Sequence, residues 1–332
     1  MVDSHPRGTV RRLTLTSEAL AGNLIGTPRE RAIDVYVPAA GPDGAALLVD
    51  LVGFCGGGLS HTAWRAFGDN VPARLDRLIA SDAMPPVVVA FPDCFTRLGG
   101  NQYIDSEVQG RWATFLTAEL VPAVERSFGC GGAGRRGVFG KSSGGYGAIV
   151  HAMRHADVWS AAACHSGDLA FELCYAMDFP RCLRELAAHD GSVEKLVAAV
   201  HATGKPSDDL LHALEILAMG ATYDPDPSAP LGVRLPVTLD TCELIEERWQ
   251  RWLAWDPTRM VDAHAGALRS LRGLHIDCGR RDQYNLIHGA RRLHRSLDRL
   301  GVRHRYEEFD DDHTAVDYRM DDSLPFLARA LA

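Results

Sequence analysis

The chain has 332 residues, 46% of them hydrophobic and 23% charged, which is enough for one large α/β domain with an insertion. The formal net charge of −8 is spread along the chain, with no basic block for nucleic acid and no lysine-rich helix for an anionic membrane. The first residues lack an apolar signal core, and no run of 18 apolar residues occurs. We therefore expect a soluble, cytoplasmic protein that binds neither nucleic acid nor membranes.

Short apolar segments alternate with helix-like segments along most of the chain. Residues 9–20 and 32–37 predict an antiparallel hairpin. Further strands are predicted at 46–52, 87–91, 137–139, 161–164, 274–278 and 303–309. Helices are predicted at 70–80, 106–128, 145–154, 286–300 and 323–331. This alternation is typical of an α/β fold, with a mostly parallel central sheet and helices on both faces.

The alternation breaks between the strands at 161–164 and 274–278. Helical patterns there cover residues 183–202, 208–219 and 242–254, separated by proline-containing breaks. We interpret residues 169–262 as a helical cap inserted into a core domain of residues 1–168 and 263–332. Three tryptophans lie three residues apart on the last predicted cap helix: Trp249, Trp252 and Trp255. We expect them to pack the cap on the core, with stacking on a ligand as the alternative.

Cysteines and histidines give no pattern of a metal site. The eight cysteines lack a Cys-x-x-Cys pair, and we expect buried, reduced thiols: Cys55, Cys94, Cys130, Cys164, Cys174, Cys182, Cys242 and Cys278. His151 and His155 are four apart on a predicted helix, but no third ligand is near. They are predicted to be a packed and a surface histidine, and no metal is expected.

Residues 136–147, RGVFGKSSGGYG, combine a short apolar strand, a Gly-x-Ser-x-Gly motif and the start of a helix. This order is typical of a nucleophile elbow, where a serine hydroxyl projects from a sharp turn. Gly140 and Gly144 provide the small neighbours that the turn needs. We therefore predict Ser142 to be a catalytic nucleophile.

The same residues allow a second interpretation, because Gly-Lys-Ser also ends a phosphate-binding loop. That loop would need a glycine at position 135, which is Arg135. No convincing magnesium-binding strand follows either. The nucleophile elbow is the favoured interpretation.

A serine nucleophile needs a histidine base and an acid that orients it. His313 lies on a short polar loop after the last predicted strand, and Asp282 lies on the turn that leaves the preceding strand. Loops at the carboxyl ends of adjacent strands can meet, so these two residues are our candidates. Asp277, within the strand, is the rival acid, and the acidic run at 310–312 is expected to be a solvated loop.

The reaction also needs two backbone donors for the developing oxyanion. One candidate is the amide of Ser143, directly after the nucleophile. The other lies in the glycine-rich loop at 52–58, after the first long parallel strand, where Phe54 is the first choice and Cys55 the second.

These motifs resemble the esterase D type of the "putative esterase" family in the α/β-hydrolase superfamily. Its members are related to S-formylglutathione hydrolases, siderophore esterases, feruloyl esterases and mycolyltransferases. The resemblance covers roughly residues 46–330, through the Phe-Pro-Asp-Cys of residues 91–94, the elbow, the turn at 278–282 and the His313 loop. It implies an α/β-hydrolase fold and a Ser/Asp/His esterase without a cofactor. The chain differs from many members by Leu-Val-Gly-Phe at 51–54, where they often have His-Gly.

The loop after the strand at 87–91 carries Arg97, Asn101 and Tyr103 at the same edge of the sheet as the elbow. We predict that they contact the polar part of the substrate, with an ordinary glycine-rich loop as the alternative.

Taken together, the sequence predicts a carboxylic-ester hydrolase that forms an acyl-enzyme on a small-molecule ester. A thioesterase or acyltransferase with the same triad is the chemical alternative. A non-catalytic hydrolase-fold binding protein would lack a triad member, and all three candidates are present. The sequence leaves open whether the chain forms a homo-oligomer.

Overall fold

The computed structural model describes residues 6–332. The strands are β1 (Thr9–Thr16), β2 (Glu30–Val37), β3 (Ala46–Leu51), β4 (Val87–Pro92), β5 (Asp105–Ser106), β6 (Gly110–Arg111), β7 (Arg136–Lys141), β8 (Ala161–His165), β9 (Gly273–Gly279) and β10 (Arg305–Phe309). The helices of the first half are α1 (Leu59–Thr62), α2 (Val71–Ala80), α3 (Trp112–Thr114), α4 (Val121–Phe128) and α5 (Ser143–Arg154), with a π-helical segment at Phe115–Leu120. The later helices are α6 (Phe171–Cys174), α7 (Phe179–Ala188), α8 (Val193–Ala202), α9 (Asp208–Tyr223), α10 (Glu246–Leu253), α11 (Pro257–Met260), α12 (Ala265–Ser270), α13 (Leu286–Arg299) and α14 (Met320–Leu331).

Eight strands form one sheet in the order β1-β2-β4-β3-β7-β8-β9-β10. The six strands from β4 to β10 in this order pair in parallel, whereas β1 and β2 pair antiparallel. The central strands β3 and β4 are buried along their whole length. Strands covered on both faces need apolar residues at nearly every position, which explains their continuous hydrophobic runs.

Helices cover both faces of this sheet. On one face, apolar residues of α2 and α14, such as Leu75 and Leu324, form one core with residues of β3, β4, β7 and β8. The other face carries a larger core that includes Ile149 of α5 and Leu293 of α13. None of the described helices has the length and apolar character needed to cross a bilayer.

Two predicted helices differ from the structure. The helix expected at 106–128 begins only at Trp112, because the Ser106 hydroxyl accepts from the amides of Val108 and Gln109 and holds a turn instead. The helix expected at 183–202 is two helices, α7 and α8. They are separated by residues with positive φ at 190 and 191, and Ser192 caps α8.

The segment between β8 and β9 contains α6–α12. Trp249 and Trp252 of α10 are buried and pack edge-on against Phe179 of α7. Trp255 lies under the Arg154 guanidinium of α5, 4.6 Å from it. The tryptophans therefore pack the helices of this segment together and onto α5, and none of them lines the cavity described below.

All eight cysteines are free, as expected, and six of them are buried. The expectation of burial is wrong for Cys55, which is exposed, and Cys242 is intermediate. Cys55 lies on the loop after β3, and it lines the cavity described below.

Candidate active site

Ser142 stands between β7 and α5 with φ 58° and ψ −127°. This conformation is costly for a residue with a side chain, and it is typical of strained functional positions. The glycines on both sides are needed for packing: a side-chain carbon at Gly140 or Gly144 would lie 2.2 or 1.8 Å from the Leu51 carbonyl oxygen. The Ser142 amide also donates to the carbonyl of His165, at 3.0 Å. The predicted elbow is thus a tight turn wedged between β3 and β8.

His313 and Asp282 meet at the carboxyl ends of β10 and β9. The His313 Nδ1 donates to Asp282 Oδ2 at 2.8 Å, and both side chains are buried. The other oxygen of Asp282 accepts from the amides of Tyr284 and Leu286, at 3.0 and 3.3 Å. A carboxylate fixed in this way holds the proton on Nδ1, so that Nε2 is free to accept a proton.

Ser142 and His313 line one cavity, with a volume of about 340 Å³. Part of its lining, here named the α1 wall, consists of Ser60, His61, Lys141 and Asp317. A second part, the α9 wall, consists of Asp168, Asp178, Asp208, His212 and Glu215. The cavity therefore lies between the carboxyl edge of the sheet and the helices that follow β8.

The loop after β3 also lines this cavity. A side-chain carbon at Gly53 would lie 3.5 Å from the Cβ of Ser142, so the loop passes close to the elbow. The Phe54 ring packs against Gly99 and Gly100, where a side chain would collide with it. The loop is thereby held beside Ser143, the first residue of α5.

The rival acid, Asp277, belongs to a different cluster. It is fully buried in β9, and its carboxylate accepts from His165 at 2.7 Å, Arg319 at 3.1 Å and His275 at 3.2 Å. These partners hold the pKa of Asp277 well below its usual range, against the effect of burial. His165 also contacts Ser323 of α14 at 2.8 Å. The cluster ties β8, β9 and α14 together and does not line the cavity.

The three atoms of His165, His275 and Asp277 lie within 4.8 Å of one another, as metal ligands could. Arg319 already pairs with the Asp277 carboxylate, so the cluster is held by ion pairs and hydrogen bonds. One nitrogen, Nδ1 of His275, stays buried without a hydrogen-bond partner among the described residues. Of the two histidines His151 and His155 on α5, His151 serves packing. It is buried, its ring accepts from the Trp159 indole at 2.9 Å, and it contacts the Tyr103 carbonyl at 2.8 Å.

The three residues predicted to contact substrate do not line the cavity with Ser142. Asn101 is buried and donates to the Cys94 carbonyl at 2.6 Å. Tyr103 is buried as well, and its hydroxyl donates to the Val52 carbonyl at 2.6 Å. Arg97 is exposed and belongs to a separate surface hollow. Their positions give these residues structural or surface roles.

The sequence reasoning missed most of the α9 wall and the α1 wall. Asp208, Leu211, His212 and Glu215 of α9 line the cavity, and their spacing of three and four residues places them on one helix face. That spacing was visible in the sequence, but it does not say which surface the face meets. No local signal marks His61 or Asp168.

Carboxyl groups dominate the electrostatics of the α9 wall. Three neutral groups donate to Oδ2 of Asp168: Gln102 Nε2 at 2.8 Å, Tyr175 OH at 2.8 Å and Ser143 Oγ at 3.2 Å. Burial raises the pKa of Asp168. Burial, together with the charges of Asp168 and Asp178, raises the pKa of Glu215 to about 8.

Comparison with solved structures shows the same overall architecture in several hydrolases. A ferulic acid esterase is 19% identical with a TM-score of 0.62, over 98% of this chain and 99% of that one. An S-formylglutathione hydrolase from Agrobacterium tumefaciens is 17% identical with a TM-score of 0.60, over 99% and 98%. One from Staphylococcus aureus is 13% identical with a TM-score of 0.58, over 97% and 99%. None of the curated proteins matches the chain.

The sheet order and these structures define an α/β-hydrolase fold, which confirms the fold predicted from the sequence. A sequence model of the family described as "Putative esterase" matches residues 58–321. The chain therefore belongs to this family, and it is a hydrolase of the carboxylesterase type. The resemblance to S-formylglutathione hydrolases and feruloyl esterases is confirmed as well.

Proposed function

We propose that the protein hydrolyses a small-molecule carboxylic ester through an acyl-enzyme on Ser142. The observation that carries this proposal is the hydrogen bond from His313 Nδ1 to Asp282 Oδ2, 2.8 Å long, beside a cavity that also exposes the strained Ser142. A serine, a base and an orienting acid on three loops of one sheet edge are the parts that acyl transfer requires.

In the proposed mechanism, His313 Nε2 accepts the proton of Ser142 Oγ as the oxygen attacks the ester carbonyl. The amides of Ser143 and Phe54, or of Cys55 in place of Phe54, then stabilise the oxyanion of the tetrahedral intermediate. His313 returns the proton to the leaving alcohol. Water then attacks the acyl-enzyme while His313 accepts its proton, and His313 gives this proton to Ser142 Oγ as the carboxylic acid leaves. Asp282 keeps the imidazole oriented and stabilises its charged form throughout.

We propose that residues 169–262, which follow β8, form a cap. The core domain then consists of residues 1–168 and 263–332. The support is that the α9 wall supplies part of the cavity lining next to Ser142. We propose small-molecule esters as the only partners that the site requires, in a cytoplasmic protein that needs no cofactor, nucleic acid or membrane. Whether the protein works as a homo-oligomer is a separate question.

The test is hydrolysis of short-chain p-nitrophenyl esters by the wild type and by Ser142→Ala. A serine-reactive phosphonate, followed by peptide mass spectrometry, locates the nucleophile. We expect loss of activity in Ser142→Ala and a single adduct on Ser142, while Ser228→Ala, which removes an exposed serine outside the cavity, behaves like the wild type. An adduct elsewhere, or full activity in Ser142→Ala, would overturn the proposal.

The chemical alternative is a thioesterase or acyltransferase that forms the same acyl-enzyme. Turnover of an acyl thioester, and product analysis in the presence of a competing alcohol, separate these reactions from ester hydrolysis.

A further inference from the structure

A second histidine–aspartate pair faces the cavity. His61 of α1 lines the cavity, and its Nδ1 donates to Asp50 Oδ2 at 2.5 Å. Asp50 is completely buried near the end of β3, and its other oxygen has no hydrogen-bond partner among the described residues. Since Nδ1 is committed to Asp50, Nε2 is the ring nitrogen left for a ligand. The proposed mechanism does not use this pair.

Lys141 lies beside the pair in the α1 wall. It directly precedes Ser142 and lines the cavity, and no carboxylate of the described residues lies within 4 Å of its ammonium group. Burial opposes a charge on Asp317, but the charges of His61, Arg65 and Lys141 outweigh burial and lower its pKa. His61 and Lys141 therefore each lie within electrostatic range of Asp317. Asp317 itself is paired with Arg65.

The cations of this group differ in how they are paired. His61 pairs with Asp50, and Arg65 pairs with Asp317. Burial opposes a charge on His61, but the neighbouring carboxylates Asp50 and Asp317 outweigh burial and raise its pKa. Burial lowers the pKa of Lys141, and Asp317, Asp282 and Asp312 act on it only at longer range. A partly buried ammonium group without a close carboxylate favours an anion as its ligand.

The α9 wall is opposite in character. It contains four carboxyl groups and one basic side chain, His212. Arg181 pairs with Asp178 from outside the lining, at 3.5 Å. Burial raises the pKa of Asp168 and of Glu215, so these two carboxyl groups carry less charge than free ones, but the α9 wall contains no lysine or arginine. The α1 wall, which contains Lys141, is therefore the more favourable side for an anionic group of a ligand.

We propose that His61 and Lys141 form a subsite for an anionic group, such as a carboxylate, on the ester that Ser142 hydrolyses. This inference rests on the proposed function. His61 Nε2–H and the Lys141 ammonium donate charge-assisted hydrogen bonds to the anion, and Asp50 orients the imidazole as a positioning residue.

The experiment compares pairs of esters in which one member carries an additional carboxylate group. One pair carries the charge on the acyl side: mono-p-nitrophenyl glutarate and p-nitrophenyl valerate. A second pair carries it on the alcohol side: 3-carboxyphenyl butyrate and phenyl butyrate. For each pair, the measured quantity is the ratio of kcat/KM for the anionic ester to that for the neutral ester. This ratio cancels effects of a variant on folding yield or on the acyl-transfer machinery.

We expect His61→Gln and Lys141→Gln each to lower this ratio about tenfold or more in at least one pair, because each removes a charge-assisted contact. The matched controls are His288→Gln and Lys205→Gln, which replace exposed residues outside the cavity. A ratio that stays within twofold of the wild type for both variants in both pairs would overturn the proposal.

A pH profile separates a binding role of His61 from a purely structural one. The charged groups that act on His61 are Asp50, Asp317 and Arg65, and Lys141 lines the same cavity. In the wild type, measured from pH 6 to pH 9, the ratio should fall as His61 loses its proton, because its pKa is raised. Glu215, with a pKa of about 8, also titrates in this range, so the fall should be smaller in His61→Gln rather than absent. A fall of equal size in both proteins would count against the subsite.

A binding measurement keeps the inference distinct from the proposed function. In a Ser142→Ala background, calorimetry with monobenzyl glutarate and benzyl valerate reports on the subsite without turnover. Weaker binding of the anionic ester on adding His61→Gln supports the subsite. If the wild type hydrolyses none of the four esters, that result contradicts only the proposed function. Equal binding with and without His61→Gln overturns the subsite alone.

Discussion

Gly144 lies so close to Leu51 that a side-chain carbon at position 144 would stand 1.8 Å from the Leu51 carbonyl oxygen. The carbonyl belongs to β3 and cannot move aside without disturbing the sheet. We expect Gly144→Ala to destabilise the protein by about 3 kcal/mol or more, measured by chemical denaturation. Gly266→Ala in α12, where the new carbon meets nothing within 4 Å, should be neutral or stabilising by up to about 1 kcal/mol. Equal stability of both variants would mean that the elbow and β3 do not pack as described.

Replacing Asp282 by asparagine should lower kcat by about 1,000- to 10,000-fold, with a smaller effect on KM. The amide would keep the contact to His313 but favour the wrong tautomer, with the proton on Nε2. Steady-state kinetics with a p-nitrophenyl ester measure the effect. Asp310→Asn, on the exposed loop nearby, serves as the control and should change kcat less than twofold. A comparable loss in both variants would remove Asp282 from its proposed role.

The buried His151 should make the protein less stable in mild acid. Burial, together with the neighbouring charge of His155, lowers the pKa of His151 to about 3, whereas an unfolded chain titrates near 6.5. Below about pH 6.5 the unfolded state therefore binds a proton that the native state refuses. The free energy of unfolding should fall by about 1.4 kcal/mol per pH unit from this residue alone.

Urea denaturation at several values between pH 7 and pH 4.5 tests this slope. His151→Gln should be less stable at pH 7 but should lose the part of the pH dependence that one proton contributes. The exposed His288→Gln should keep the wild-type slope. Identical slopes in all three proteins would show that His151 titrates normally.

Cys55 should be the thiol through which alkylation blocks the cavity. It is exposed and lines the cavity beside the candidate oxyanion loop. Burial of part of the side chain and the Glu215 carboxylate raise the pKa of its thiol, so reaction with N-ethylmaleimide should be slow near neutral pH and faster in alkali. We expect inactivation of the wild type and of Cys242→Ala. Cys55→Ala should keep its initial activity under the same treatment, and inactivation of this variant would point to another thiol.

Local patterns correctly predict that Ser142 lies in a sharp turn and that His313 and Asp282 meet at the sheet edge, since each follows a strand and the turn after it. Their catalytic roles stay predictions. The same reasoning misplaced Asn101 and Tyr103, because a position at the sheet edge does not determine where a side chain points. Positive φ angles at Gln102 and Tyr103 turn that loop inward. The Tyr103 hydroxyl therefore donates to the Val52 carbonyl and does not face the cavity.

The residues that shape the cavity could not be predicted for a different reason. His61 contacts Asp50, eleven residues away in the sequence, and Asp168 contacts Gln102, 66 residues away. Contacts of this kind depend on how whole elements pack, and periodicity within one helix or strand does not encode them. The sequence therefore predicts where Ser142, Asp282 and His313 lie better than it predicts the residues of the walls around them.

The four cavity-lining residues of α9 occupy one face of a helix whose opposite side is buried against its neighbours. None of them belongs to the strand ends that hold Ser142, Asp282 and His313. The cavity-facing side of α9 is thus separate in the chain from the strand ends. If the proposed function is correct, a lineage could exchange one ester for another by altering this helical surface while keeping Ser142, Asp282 and His313.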